Sequence, residues 1–502
     1  VSKFNKIGSR INKTGNTINI AGGSSYERPF KDEIATIVLN SMLSGKDSYY
    51  ESEFNKINRI EEIINSVNDI ETIEYIAKAA IYSRTVGNMR SLPVLLTVLL
   101  AEKIKDNELI RKLVRTMVQR PDEMTEIVSL WDSRNHNKIN GKSKNVPSSI
   151  RRGLKDILES DKFNAFGYKR YFGTGKVKIS DIVNIAHPKP KNDEMSKMFK
   201  QILEKNLPNI ETLETLRPNG MDSKSAIMKL LNDKKLGYMA AIKNIKNFVE
   251  ANPTDEEFDT FFSYIENEKA IINSKVFPFR YWDAWKMTST SNINVFRLKR
   301  IKKALDKVFK IASKNFELIA ENERVAIILD ESGSMHGNNF DNACVLSGMV
   351  ASKIPNENFV VYSFDSNCRE RQFNSNEVFD SIERILSAGA MGGATYFSKP
   401  MEKLLASKTI VDKIFIFTDM QMYSNYVQYD FVEYIKRYQK INPNVKLIFW
   451  NLQSYAGGTP ISLHNDFITE ISGFSSNMVE KLPFILKNKN FIVEEIENII
   501  LQ

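Results

Sequence analysis

The chain changes its hydrophobic period once, at Arg324, and that change limits the architectures open to it. Before Arg324 apolar residues recur at helical spacing; after it they come as continuous runs closed by Gly/Ser loops. In PFKDEIATIVLNSMLS the spacing puts Ile34, Ile37, Val38 and Met42 on one face. INRIEEIINSVND, ETIEYIAKAAIYSRTV, SLPVLLTVLLAEKI and ELIRKLVRTMVQ continue the pattern, with short polar breaks. Helix pairs repeating every 35–45 residues or so predict a HEAT-like array without strict sequence repeats. Such arrays curve, and a closed curve leaves a hole. From Arg324 onward RVAIILD, NFVVYSFD, KIFIFTD and KLIFWNL read as buried parallel strands, separated by helices. That alternation predicts a doubly wound α/β sheet, whose ligand sites lie at the carboxyl ends of its strands. The expected organisation is an extended, flexible arm over residues 1–25, a helical array over 26–320 and an α/β domain over 321–502.

Charge follows the same division. Residues 1–320 carry 54 Lys and Arg against 39 Asp and Glu, whereas residues 321–502 carry 16 against 22. The window 131–200 alone holds 16 basic and 7 acidic residues. A positive face of this size attracts polyanions and favours nucleic acid. Within it, Lys169 and Arg170 lie in a basic loop flanked by Tyr168, Tyr171 and Phe172, which combines charge with stacking faces. Lys176, Lys178 and His187 follow, the last before Pro188 in IAHPKP, where it also suits a helix end. Trp282 and Trp285 in FPFRYWDAWK read as core, and Arg280 beside them as a residue lining the array. The basic run from Arg297 to Lys314 is either an RNA-facing helix or a solvated face.

No stretch approaches the ~20 apolar residues of a membrane span. Two cysteines, Cys344 and Cys368, do not make a disulfide framework, and four scattered histidines do not make a zinc fold. These features lead to the expectation of a cytoplasmic protein without membrane contact. No Gly-Lys phosphate loop, HExxH helix or nucleophile–base pair is present, so catalysis is not expected.

The first strand runs into Asp330-Glu-Ser332-Gly-Ser334. A Gly-rich loop carries Thr395, and another strand ends in Phe-Thr-Asp419. Two carboxylates, three hydroxyls and water form an all-oxygen octahedral set suited to Mg²⁺ or Mn²⁺, with a vacant position for an acidic partner's oxygen. This ordered set resembles the metal-ion-dependent adhesion site of von Willebrand factor A domains, and SGFSSNMVEKL is similar to the last helix region of that fold. KLGYMAAIKNIKNF and KVFPFRYWDAWK, upstream of it, resemble the TROVE module of Ro autoantigen and bacterial Ro-like proteins.

The resemblance covers about residues 25–500. It implies a multidomain chain: an all-α HEAT-like ring followed by an α/β doubly wound von Willebrand factor A-like domain. It further implies small structured Y-like RNA on the outer basic face, single-stranded 3′ ends of misfolded RNA in the ring, and tethering to a 3′ exoribonuclease. DNA is not an expected partner. His187, Lys169 and Arg170 carry over as RNA contacts, and Lys176 and Lys178 fit the family loop less cleanly. Glu331 departs from the family, which has a neutral residue there, and places an extra carboxylate beside the metal. Two classes of function remain: an RNA-binding scaffold, and a metal-site adhesion module for which the helices are scaffold.

Overall fold

The computed structural model describes residues 17–41, 43, 50–135, 145–171, 175–208, 210–314, 319–320, 322–422, 425–455, 467–473 and 476–501. The chain divides into two compact units: residues 30–211 with 490–502, and residues up to Pro29 with 212–489.

The first unit is helical. Its helices include Phe30–Asn40, Glu53–Ser66, Ile70–Thr85, Ser91–Lys103, Asn107–Met117, Pro121–Asn135 and Ser148–Leu158. Several start where a short polar side chain caps free N–H groups. Ser52 accepts from Asn55, Asp69 from Thr72 and Asp106 from Leu109. Each of these helices packs on a next-but-one neighbour along the chain, the alternation seen in stacked helix pairs, and Ser91–Lys103 also packs on both of its adjacent helices. Ser91–Lys103 is apolar nearly all round and is buried from Leu92 to Leu100. Helix Phe491–Glu497, at the far end of the chain, returns to Phe30–Asn40 and Ile70–Thr85. There the Tyr82 hydroxyl donates to Glu495 at 2.9 Å and Lys31 pairs with Glu497.

The second unit opens with a hairpin, Thr17–Ile18 (β1) against Ser24–Ser25 (β2). Part of the expected arm is therefore folded. Helices from Leu213 to Lys314 precede a six-stranded sheet. Its strands are Val325–Asp330 (β3), Phe359–Phe364 (β4), Cys368–Glu370 (β5), Lys413–Thr418 (β6), Lys446–Asn451 (β7) and Ile468–Ser472 (β8), in the order β5-β4-β3-β6-β7-β8. The four expected strands form its parallel centre. Sequence periodicity did not reveal the edges: β8 is parallel, and β5 is antiparallel to β4 and only three residues long.

Helix Val295–Lys314 buries Ile301, Ala304, Leu305, Val308, Phe309 and Ala312, a helical stripe. It packs on Phe279–Thr288 and also on Asn338–Ala351 and Val378–Ala388, the helices flanking the sheet. Trp282 meets Phe379 edge-on at 5.2 Å, and the Trp285 indole donates to Glu383 at 2.6 Å. The change of period near residue 320 thus lies inside a shared core, and compactness divides the chain at 211/212 instead.

Candidate metal centre and nucleic-acid interface

All six residues of β3 are buried, and the strand ends on Asp330. In the β3–β6 register Leu329 lies beside Phe417, which brings Thr418 and Asp419 to the same edge as Asp330. The Thr418 hydroxyl donates to Asp330 Oδ2 at 2.6 Å, and the Ser332 N–H donates to Asp330 Oδ1 at 2.9 Å. The Ser332 and Ser334 hydroxyl oxygens are 3.4 Å apart. Asp419 Oδ1 accepts from the Gln421 N–H at 3.3 Å, while its Oδ2 is buried with no hydrogen-bond partner among the described residues.

Both carboxylates are fully buried. Burial raises both above the ordinary carboxylate range, and the charge of Asp330 raises Asp419 further. Among the described residues no cationic side chain pairs with either carboxylate; two such buried charges are costly, and a divalent cation would relieve that cost. Among the described residues no three His, Cys, Asp or Glu cluster as metal ligands, so a cation here would rest on two carboxylates, hydroxyls and water. The orphaned Oδ2 and the hydroxyl pair fit that donor set.

Thr395 is buried in the glycine loop, which is stitched to the Asp330 loop. The Gly333 N–H donates to the Gly393 carbonyl at 3.2 Å, and the Gly392 N–H to the Glu331 carbonyl at 3.0 Å. A Cβ on Gly393 would meet Asp365 Oδ2 and Ser366 Oγ at 2.7 Å, so any other residue would have to displace those two side chains.

The Glu331 side chain is engaged by two arginines. Arg369 reaches its Oε1 at 2.5 Å and Arg371 its Oε2 at 2.6 Å. Arg369 also pairs with Asp365 at 2.9 Å, and the Arg371 Nε donates to Ser363 at 2.6 Å. The Glu331 carboxylate is thereby neutralised beside Asp330.

In the basic window, Lys169 and Arg170 lie on the short helix Ala165–Arg170 and not in a loop. Asn164 caps that helix by accepting from the Gly167 N–H. The Lys169 ammonium donates to the Leu207 carbonyl at 3.0 Å. The Arg170 side chain and Phe172 lie outside the described residues. Tyr168 is fully buried and edge-on to Phe163 at 6.0 Å, so it is core and not a stacking face. The Tyr171 ring lies under the Arg120 guanidinium at 4.5 Å.

Lys176 is exposed. Lys178 is the N-cap of helix Ile179–Ala186, its N–H donating to Asp181 at 2.7 Å. His187 closes that helix in the left-handed region at φ 47°, its N–H on the Val183 carbonyl and its ring exposed.

Arg280 is half-exposed, and pairs with Asp283 at 3.3 Å. It lines a cavity of about 510 Å³ with Ile242, Lys243, Lys246, Ala284 and Met287. All of these residues come from KLGYMAAIKNIKNF, or from KVFPFRYWDAWK and the Met that follows it, so the two stretches converge on one concavity. Along Val295–Lys314, Arg297 pairs with Asp255, Lys307 with Glu266, and Lys302 with Asp380 and Glu383.

Residues 205–331, which include both stretches, match the family model described as TROVE domain. That match takes in about a quarter of the chain. Its fold is similar to the crystal structure of the Deinococcus radiodurans RO (RSR) protein. That match has a TM-score of 0.58 and 13% identity, and covers 90% of this chain and 99% of that one. At this identity the likeness is one of fold. No curated protein sequence matches the chain.

The sequence motif missed Thr418, which bonds Asp330, and the Arg369–Arg371 pair. Thr418 adjoins Asp419 and could have been found from the strand register. The arginines sit on and just after a three-residue edge strand with no hydrophobic signature.

Proposed function

We propose that the chain is a non-catalytic, Ro-type RNA-binding scaffold acting in the cytoplasm. The observation that carries this reading is the convergence of the two TROVE-like stretches on one cavity, where basic and apolar side chains outnumber the single acidic one, Asp283. Ile242, Ala284 and Met287 offer a surface for a base, and Lys243, Lys246 and Arg280 offer charge for phosphates. This cavity is assigned to single-stranded 3′ ends of misfolded RNA. The basic window, through Lys169, Arg170, Lys176, Lys178 and His187, is assigned to a small structured, Y-like RNA. A 3′ exoribonuclease tethered by that RNA completes the quality-control reading.

The second element is a von Willebrand factor A-like metal site. Asp330, Ser332, Ser334, Thr395 and Asp419 would hold Mg²⁺ or Mn²⁺, and the cation would accept a carboxylate from an acidic partner. A reading as adhesion module alone is favoured by one observation, the engagement of much of the Arg297–Lys314 charge in ion pairs.

The test is binding of a hairpin RNA with and without a single-stranded 3′ tail, at one fixed salt concentration. Tighter binding of the tailed RNA, lost in Lys243→Glu/Arg280→Glu, is expected. Equal affinity for both RNAs would remove the single-strand assignment. Absence of salt-dependent RNA binding altogether would leave the adhesion reading.

A further inference from the structure

The metal site receives support from a part of the chain some 400 residues away in sequence. The turn joining β1 to β2 is tightly made. The Asn19 N–H donates to the Gly23 carbonyl and Asn19 Oδ1 accepts from the Gly23 N–H, both at 2.8 Å. The remaining amide group leaves the hairpin: Asn19 Nδ2 donates to the Met422 carbonyl at 2.9 Å. Gly23 lies so close to the same carbonyl that a Cβ there would fall 1.9 Å from its oxygen. A second anchor follows, where Arg28 pairs with Glu470 on β8 at 2.6 Å. Those side chains are 8% and 5% exposed, and Asn451 at the end of β7 donates to the same oxygen.

The carbonyl gripped by Asn19 belongs to the turn that carries Asp419. Met420, Gln421 and Met422 are all buried, and Met420 stands at φ 63°, a left-handed conformation that side-chain-bearing residues seldom adopt. Such a residue persists only where its surroundings over-determine it. On one side Met420 is held by its N–H on the Thr418 hydroxyl, 3.1 Å away, which itself bonds Asp330. On the other side, two residues on, the Asn19 amide holds Met422.

We infer that the hairpin Thr17–Arg28 is a positioning element of the metal site: Asn19 and Gly23 fix the 419–422 turn and so aim the unpartnered Asp419 oxygen. The inference rests on the proposed metal site. It adds that the α/β residues alone do not complete that site.

The experiment is a Mn²⁺ titration of the full chain, read by the electron paramagnetic resonance signal of free Mn²⁺, with amide hydrogen exchange of the metal-free protein alongside. Asn19→Asp keeps the oxygen that accepts from Gly23 and replaces the donor to Met422 with a carboxylate oxygen that repels that carbonyl. Gly23→Ala forces the two backbones apart. Either variant should weaken Mn²⁺ binding about tenfold or more, as loss of an outer-sphere support does. Each should also speed exchange at residues 420–422. Leu305→Ala, which destabilises the same unit away from the site, should lower the melting temperature with Mn²⁺ affinity unchanged.

Wild-type affinity retained in Asn19→Asp, with only a lower melting temperature, would overturn the positioning role. Failure of the wild type to bind Mn²⁺ would instead remove the metal site. In that event exchange at 420–422 still decides whether the hairpin holds the turn, and unchanged exchange overturns it.

Discussion

The carboxyl edge of the sheet and the basic window are built in opposite ways. At the sheet edge, Asp330 and Asp419 are fully buried, each oxygen but one is bonded among the described residues, and backbone hydrogen bonds tie the Asp330 loop to the glycine loop while the Thr418 hydroxyl ties in the Asp419 turn. In the window, Lys176 and His187 are exposed, and Lys178 and His187 stand at helix ends held by their own backbones. The first arrangement gains affinity from geometry, so losing one atom removes it. The second gains affinity from summed charge, so each residue contributes a little and salt screens all of them.

The largest effect should come at the dry site. Asp330→Ala should abolish Mg²⁺ or Mn²⁺ binding in a calorimetric titration and leave RNA affinity largely intact. Asp419→Asn should also abolish it, yet raise the melting temperature in chelator. Burial holds both carboxyls above their unfolded values. The unfolded chain therefore ionises first as pH rises from about 4, and the metal-free fold loses stability until pH passes the raised native values. The asparagine removes one share of that loss. A melting temperature in chelator that falls equally with pH in wild type and variant would contradict the burial argument.

The next effect concerns Glu331. Arg371→Leu takes away one of the two cations that neutralise a carboxylate with no exposure, and should cost about 3 kcal/mol in chemical denaturation. Glu331→Gln should cost less, since Arg369 keeps Asp365, Arg371 keeps Ser363 and some access to water, and the glutamine oxygen still accepts from one of them. If both variants match wild type, the arginine pair is not what allows a charge beside the metal loop.

In the wet window the effects are smaller and graded. Lys176→Ala and His187→Ala should each weaken structured RNA modestly. The lysine change should also lower the slope of log affinity against log salt by about 1. A loss confined to one RNA sequence would mean base readout and would erase the contrast between the two regions. Lys169→Ala should have the smallest effect on RNA, because its ammonium already serves the Leu207 carbonyl. It should instead cost about 1 kcal/mol of stability, the usual worth of one hydrogen bond. A large loss of RNA affinity with stability intact would place Lys169 among the principal contacts.

Much of this could be read along the chain. The helical periods before Arg324, the four central strands and the spacing of Asp330, Ser332, Ser334, Thr395 and Asp419 are local patterns, set by side-chain period and by turn residues. Trp282 and Trp285 could be placed in the core from their apolar setting. Other positions depend on partners distant in sequence. Tyr168 reads equally as stacking face or core until Phe163 and the surrounding helices enclose it.

Sequence alone therefore determined the longer helices, the four central strands and the placing of Asp330 and Asp419 at their ends, because these follow from contacts within a few residues. Tertiary structure decided what those elements share. It gave Glu331 its two arginines, moved helix Val295–Lys314 into the core of the sheet-bearing unit, and set Asn19 against Met422. Those outcomes rest on pairings tens to hundreds of residues apart, whose free energy appears only when burial brings both partners out of water together.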